Sequence, residues 1–373
     1  MTERSDTPAP DSPPDPASPE FALAEHGGWP GLLTELLDGR DLTAEQSRAA
    51  MHTILSGHAT AAQLIGFVVA LRAKGETAEE MSGLLDAVLA HAARVELDEA
   101  TRRAALDIVG TGGDRSHSIN VSTMAALVVA GAGVPVCKHG ARGASSQCGT
   151  ADVLEALGVA IELTPAGVRR CVDEAGFGFC FAPRFHPAFR FAAPSRKEIG
   201  IPTVFNLLGP MANPAGVGRH LIGVADATVA GRMLASLRAH GATDAWVVHG
   251  QGLDELTTTG PSTVLALRHD GSAETFAVDP VAHGLAPATM DQLVGGPPPV
   301  NAEVVRRVLG GEHGAHRDIV VLNAGAGLVV AGRAADLGEG ITLAAASIDG
   351  GGAAALLSRV VEVSNQAAAA GHS

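Results

Sequence analysis

The chain has 373 residues, 46% of them hydrophobic but only 3% aromatic, with no Tyr, and 26 basic against 40 acidic side chains give a formal net charge of −14. That charge argues against a general nucleic-acid or membrane-surface binder, because phosphate backbones and anionic headgroups attract Lys and Arg. It leaves room for a small anionic ligand in a local pocket.

The length suits one large domain or two smaller ones. An apolar content made of Ala, Val and Leu fits close-packed helices and buried parallel strands. Cys137, Cys148, Cys171 and Cys180 have no zinc-type spacing, so reduced thiols are expected. No stretch reaches about 18 uninterrupted apolar residues, which gives no spanning helix. The N-terminus lacks the basic-then-apolar pattern of a leader, so a cytoplasmic location is expected.

Residues 1–20 hold six prolines among Asp, Ser and Glu. Such a composition buries little apolar surface, and a disordered acidic tail over 1–26 is expected. Residues 27–98 then form a small helical domain. Three capping boxes punctuate it, Thr43-x-x-Gln46, Thr60-x-x-Gln63 and Thr77-x-x-Glu80, each ahead of an apolar run of helical period, with Gly57 and Gly75 at helix ends.

From 99 to 368 the pattern becomes strand–helix alternation, predicting a large α/β domain with a mostly parallel sheet. Predicted strands are Asp107–Gly110, Val134–Lys138, Phe179–Phe181, His220–Val224, Asp244–His249, Thr263–Arg268 and Ile319–Leu322. Helices from about 165 to 200 are expected to pack back on the helical domain, giving two crossings and a hinge.

Four clusters carry chemistry. After the first strand comes Gly110-Thr111-Gly112-Gly113-Asp114, then Asn120-Val121-Ser122-Thr123 ahead of a helix beginning near Met124. Glycine-freed N–H groups and a helix N-terminus can hold phosphate oxygens; simple capping by Ser122 or Thr123 is the ordinary alternative. After the second strand, Lys138 to Ser146 combines Lys, His, Arg and two Ser with no acid between them, an anionic site by charge contrast. After the fifth, Asp254-Glu255 sits on a glycine-flexed loop, a donor pair suited to magnesium shared with phosphate and water. Last, Arg196 follows an aromatic stretch, Phe185 to Phe191, and precedes Asn206-Leu207-Leu208-Gly209-Pro210. An Arg beside apolar walls binds an aromatic carboxylate.

Together and in this order, GTGGD, NVST, KHGAR…SS, ADVLEALG, FAPRFHPAF, NLLGP and HGQGLDEL resemble the anthranilate phosphoribosyltransferase family over about Pro30 to Ser364. The resemblance implies a small helical and a large α/β domain of the nucleoside-phosphorylase type, a homodimer, and transfer of phosphoribose from 5-phosphoribosyl-1-pyrophosphate (PRPP) to an aromatic amine. It implies PRPP contacts at Gly110, Gly113, Asp114, Ser118, Asn120, Val121, Ser122, Thr123, Lys138, Arg142, Ser145, Ser146 and Thr150. Two Mg²⁺ ions follow from it, one on Ser122 and one on Asp254 and Glu255, with Lys138 stabilising the leaving group and no general base assigned. The acceptor site would comprise Gly110, His139, Ala141, Arg196 and Pro210.

Two positions depart from the family pattern. Arg115-Ser116-His117-Ser118 replaces its G-x-N-T, with a hydroxyl kept at Ser118. Ala141 replaces the Asn of KHGNR, which alters the acceptor half. A related enzyme using PRPP with another aromatic carboxylate is therefore one alternative reading. A pyrimidine nucleoside phosphorylase and a nucleic-acid-binding relative are two more, the last opposed by the acidic charge.

Overall fold

The computed structural model describes residues 19–143 and 146–371. Most of the expected tail, and with it Ser145 of the second loop, lies outside them. Within the expected span 1–26, however, residues 19–24 are ordered into the fold. Pro19–Ala24 is a helix, and Leu23 is buried in the helical core.

The helical layer consists of Gly28–Leu37, Ala44–Leu55, Ala61–Lys74 and Ala78–Ala90. All three capping boxes form, with Thr43, Thr60 and Thr77 accepting from the backbone N–H of Gln46, Gln63 and Glu80. Glu80 also has a tertiary role. One oxygen accepts from the Leu42 N–H at 2.9 Å, and the other from the Thr77 N–H at 2.7 Å and Lys74 Nζ at 3.0 Å. A local capping residue thereby ties two helix entries together in the interior.

The α/β part is built on seven strands: β1 Leu106–Gly110, β2 Val136–Gly140, β3 Phe177–Phe181, β4 Arg219–Gly223, β5 Asp244–His249, β6 Ser262–Leu267 and β7 Ala273–Val278. Their order is β3-β2-β1-β4-β5-β6-β7. The first five run parallel, and β6 and β7 are antiparallel additions at one edge. Because β1 lies between β2 and β4, the chain winds away from β1 in both directions. The loops after β1 and β4 part there and leave a crevice at the carboxyl ends of the strands.

One face of the sheet is covered by Val121–Gly131, Ala315–Val330, Leu337–Asp349 and Gly352–Ala370. On the other, the helical layer shares one continuous core with it: Leu32, Phe67 and Leu84 belong with Phe205, Ile222, Met233 and Val247. Helix Ala78–Ala90 packs on helix Ala230–Ala239, and polar ties cross the same seam, Arg232 to the Glu76 carbonyl and His240 to Asp86. The expected hinge is thus an apolar seam, and closure would have to shear along it.

Three further expectations are corrected. Ile319–Leu322 is not a strand but lies inside helix Ala315–Val330, which is buried on nearly all sides; a short all-apolar run looks the same in a buried helix and a buried strand. The second strand is Val136–Gly140 rather than Val134–Lys138. Helix Pro165–Ala175 packs on Gly352–Ala370 and β3, not on the helical layer, whereas Ala193–Ile199 does meet Ala61–Lys74. Among the described residues no single helix is long and apolar enough to cross a membrane.

Replacing Glu80 by Ala would strip the Leu42 and Thr77 N–H groups of their acceptor and leave Lys74 with only Asp41 and the Gly75 carbonyl. The expected cost is about 3 kcal/mol, measured as a drop in the urea midpoint. An unchanged midpoint would show that the Glu80 cluster is not structural.

Candidate active site

The crevice between β1 and β4 is filled by the turn after β5. Cβ atoms built on Gly110 and Gly223, the last residues of β1 and β4, would run into Asp254, on its carboxylate and its main chain respectively. Glycine is needed at both strand ends for this close approach. The Asp254 carboxylate accepts from the Gly112 N–H at 2.7 Å and lies against Asp114. Glu255 accepts from the Ser122 N–H at 3.1 Å.

That last contact depends on where the helix after β1, Val121–Gly131, begins. It starts at Val121, so Ser122 and Thr123 sit in its first turn rather than capping it, and Asn120, which precedes it, makes no capping bond. Freed from that task, the Asn120 amide donates to the Cys148 carbonyl at 3.0 Å and its oxygen accepts from Asn301 at 2.8 Å. Thr123 Oγ1 donates to Thr150 Oγ1 at 3.2 Å, linking the two phosphate-type loops. Ser118 accepts from Ser116 at 3.1 Å and pairs with Val294, while Ser146 donates to the Cys148 carbonyl at 3.3 Å. Gly113 has φ +82°, as its glycine allows.

Lys138 is fully buried. Its ammonium donates to the Ile108 carbonyl and, at 3.3 Å, to Ser122 Oγ. Burial alone lowers its pKa, and the charges of Asp107, Glu255 and Asp254 oppose that. The acids are perturbed in the opposite sense. Burial, then the neighbouring Asp114, pushes Asp254 up to about 7, and burial together with Asp254 raises Glu255 well above the carboxylate range. Two adjacent acids are thus held out of water near one buried Lys side chain, a site short of positive charge.

Arg142 departs from the charge-contrast argument. Its guanidinium pairs with Asp152 at 2.9 Å and Glu155 at 2.8 Å, both from the following helix Thr150–Ala156. The loop lacks acids, but the next helix brings two to it. These bonds raise the pKa of Arg142 further and tie it to the helix that follows its loop.

The second half of the site is a run of rings. His139 meets His186 edge-on at 5.0 Å, His186 stacks on Phe189 at 5.4 Å, Phe189 meets Phe205 at 5.7 Å, and the Arg196 guanidinium lies 4.9 Å over Phe205. Burial holds both imidazoles neutral, His139 down to about 3 and His186 to about 4. His139 Nδ1 donates to the Gly209 carbonyl at 3.0 Å, since a carbonyl can only accept, and its Nε2 is buried without a partner. Among the described residues no acid pairs with Arg196, and burial lowers its pKa. Pro210 is buried in helix Val204–Met211, beside that carbonyl. Ala141 is exposed, and only its carbonyl is engaged, by the Ala151 N–H.

Asp107 and Asn213 were not among the expected site residues, yet both touch the strand that carries Lys138 and His139. An acid inside an otherwise apolar strand was the available signal.

Two domains of one family match the chain: the a/b domain of the glycosyl transferase family over residues 102–354, and the helical bundle domain of the same family over 30–92. A curated anthranilate phosphoribosyltransferase from Saccharopolyspora erythraea is 51% identical over 341 residues, 89% of this chain and 95% of the relative. The chain belongs to the anthranilate phosphoribosyltransferase family. Among solved members, the Thermus thermophilus structure superposes with a TM-score of 0.84 at 41% identity, covering 90% of this chain and 99% of that one. The Saccharomyces cerevisiae structure in complex with PRPP and Mg gives 0.82 at 29% identity, covering 91% and 98%.

The raised pKa of Asp254 has a measurable sign. Its native value of about 7 lies above its unfolded value, so its contribution to stability is full below about pH 4 and is lost as pH rises to about 7. Ligand-free protein should lose on the order of a few kcal/mol across that window. Asp254→Asn should flatten the urea-midpoint profile and be the more stable protein at pH 8. Parallel profiles would show that Asp254 is not a buried, charge-starved acid.

Proposed function

We infer that this chain transfers the phosphoribosyl group of PRPP to the amine of anthranilate, releasing pyrophosphate. The observation that carries this reading is the ring run from His139 to Arg196. It is a neutral, largely buried run of rings ending in a cation that, among the described residues, has no acid partner, and it is adjacent along β2 to the Lys138 and Asp254–Glu255 cluster. An aromatic carboxylate suits the first and a polyphosphate with a hard cation suits the second.

The donor set fits Mg²⁺. Asp254, Glu255 and the Ser122 hydroxyl are hard oxygen donors, and the two acids are destabilised by lack of positive charge. Among the described residues no cluster of three or more His, Cys, Asp or Glu could hold a metal alone, which agrees with a cation held partly by phosphate oxygens and water. We place one ion on Asp254 and Glu255 and another on Ser122. Bound there, Mg²⁺ supplies positive charge against the developing pyrophosphate.

The chain's own groups do the rest. The Gly113 N–H and the turn from Asn120 to Thr123 at the start of the helix cradle phosphate oxygens. Lys138, beneath that turn, stabilises the leaving group as the C1–O bond breaks. Arg196 anchors the acceptor carboxylate, and the neutral His139 and Pro210 line the aryl side. An aniline nitrogen is uncharged at neutral pH and attacks without prior deprotonation, so no base is required. Arg142 would have to leave Asp152 and Glu155 to reach the ligand; Ser145 is assigned to the same contacts from sequence.

Ala141 favours a second reading, an aryl acid other than anthranilate, since the side-chain amide of that position is missing. A homodimer through the helical layer is also proposed, supported by Leu37 (78% exposed) and Val69 (38%) on its outer helices; light scattering should give twice the 37.7 kDa chain mass.

Loss of anthranilate fluorescence should require both PRPP and Mg²⁺. Arg196→Met should lower kcat/KM for anthranilate about 10- to 100-fold, the worth of a charged hydrogen bond, with KM for PRPP little changed. Ala141→Asn should change it by less than about 10-fold. No turnover with anthranilate, but turnover with another aryl acid, would transfer the assignment to the second reading.

A further inference from the structure

Strand β1 pairs through five residues with β4, and β2 pairs through five with β3, but β1 and β2 share only Leu106↔Val136. Beyond that pair the ladder opens toward the site. A parallel ladder left open in the interior would strand N–H and C=O groups, each costly if unpaired. Here side chains take the vacant places. The His139 N–H donates to Asp107 Oδ1 at 3.1 Å in place of a β1 carbonyl. The Asn213 amide donates to Asp107 Oδ2 at 2.8 Å and to the Cys137 carbonyl at 2.7 Å. The Ile108 carbonyl, unpaired with β2, receives the Lys138 ammonium. Asn213 is itself fixed, its oxygen accepting from the Ala215 N–H at 2.9 Å. All four side chains are at most 3% exposed.

We propose that Asp107 and Asn213 are a positioning pair that holds the carboxyl ends of β1 and β2 apart, and so sets Lys138 for the leaving group and His139 for the acceptor. The opening is what lets a lysine on β2 reach under the first turn of helix Val121–Gly131. Were β2 zipped to β1, the Ile108 carbonyl would be taken by a backbone N–H. Lys138 would then lose its place between that carbonyl and Ser122. Neighbouring residues of a strand face opposite sides, so one pin at the His139 N–H sets both halves of the site. Neither Asp107 nor Asn213 touches substrate in this account; they act through Lys138 and His139.

The proposal rests on the transferase reading for its kinetic consequence but not for its structural one, and the experiment separates the two. Amide hydrogen exchange is followed in the ligand-free full chain. In Asp107→Ala the His139 amide should lose at least tenfold in protection, while Val247 and the other core amides of β4 and β5 keep theirs. In the exchange variant Asp107→Asn with Asn213→Asp, donor and acceptor are swapped across the pair; the new carboxyl at 213, kept protonated by burial, still donates to the Cys137 carbonyl, and protection should return.

The kinetics should follow. Asp107→Asn places amide against amide and should lower kcat at least 30-fold with KM for PRPP within threefold. The exchange variant should recover at least tenfold of that loss. Unchanged His139 protection in Asp107→Ala, or an exchange variant no better than Asp107→Asn, would overturn the proposal. If Asp107→Ala fails to fold, Asn213→Ser decides by the same two readouts. A wild type without turnover on anthranilate would instead sink the transferase reading and leave the exchange result standing.

Discussion

The close approach of Asp254 to the ends of β1 and β4 is the constraint on which the rest of this structure depends. It works only because Gly110 and Gly223 have no side chain, and because the chain winds away from β1 on both sides. The approach brings two carboxylates from a distant turn into the crevice where the β1 loop and helix Val121–Gly131 begin. Once there, Asp254 and Glu255 are tied by the Gly112 and Ser122 N–H groups and face Lys138. Stability is sacrificed at this point: buried acids with raised pKa values destabilise the empty protein, as expected where a site is built for a charge it does not itself supply.

The two halves of the site follow from the two faces of β2. Lys138 belongs to the polar side and His139 to the ring run, so the spacing of the two halves is set within one dipeptide. Since the helical layer shares its core with the β4–β5 face, the acceptor side rests on the same packed interior as the sheet. That gives the ring run a rigid support, the condition for aligning two substrates.

Local chemistry was the most legible part of the chain. Three capping boxes formed as their spacing requires, because a capping box is closed by residues three apart. Gly110 ends β1 and the Asp254 turn follows β5 as expected, since glycine and polar residues interrupt apolar strands there, but Lys138 and His139 lie inside β2 and not in the loop after it. What stayed hidden was tertiary. Ile319–Leu322 could not be told from a strand, and β7, with its mostly exposed residues, has no core-facing pattern to reveal it. Arg142 belonged to an acid-free loop in sequence but finds Asp152 and Glu155 one helix later. Asp107 and Asn213 meet across 106 positions, a pairing no local spacing announces.

The central claim is that the Asp254–Glu255 pair is a buried, charge-starved site completed by Mg²⁺ and PRPP together. Calorimetric titration of PRPP at pH 6.5, in buffers of different ionisation enthalpy, with and without Mg²⁺, tests it directly. The account requires Mg²⁺-dependent binding that releases more protons in the wild type than in an Asp254→Asn, Glu255→Gln protein, the difference being the carboxyl protons displaced. Binding of equal strength without Mg²⁺, or the same proton release from both proteins, would contradict it.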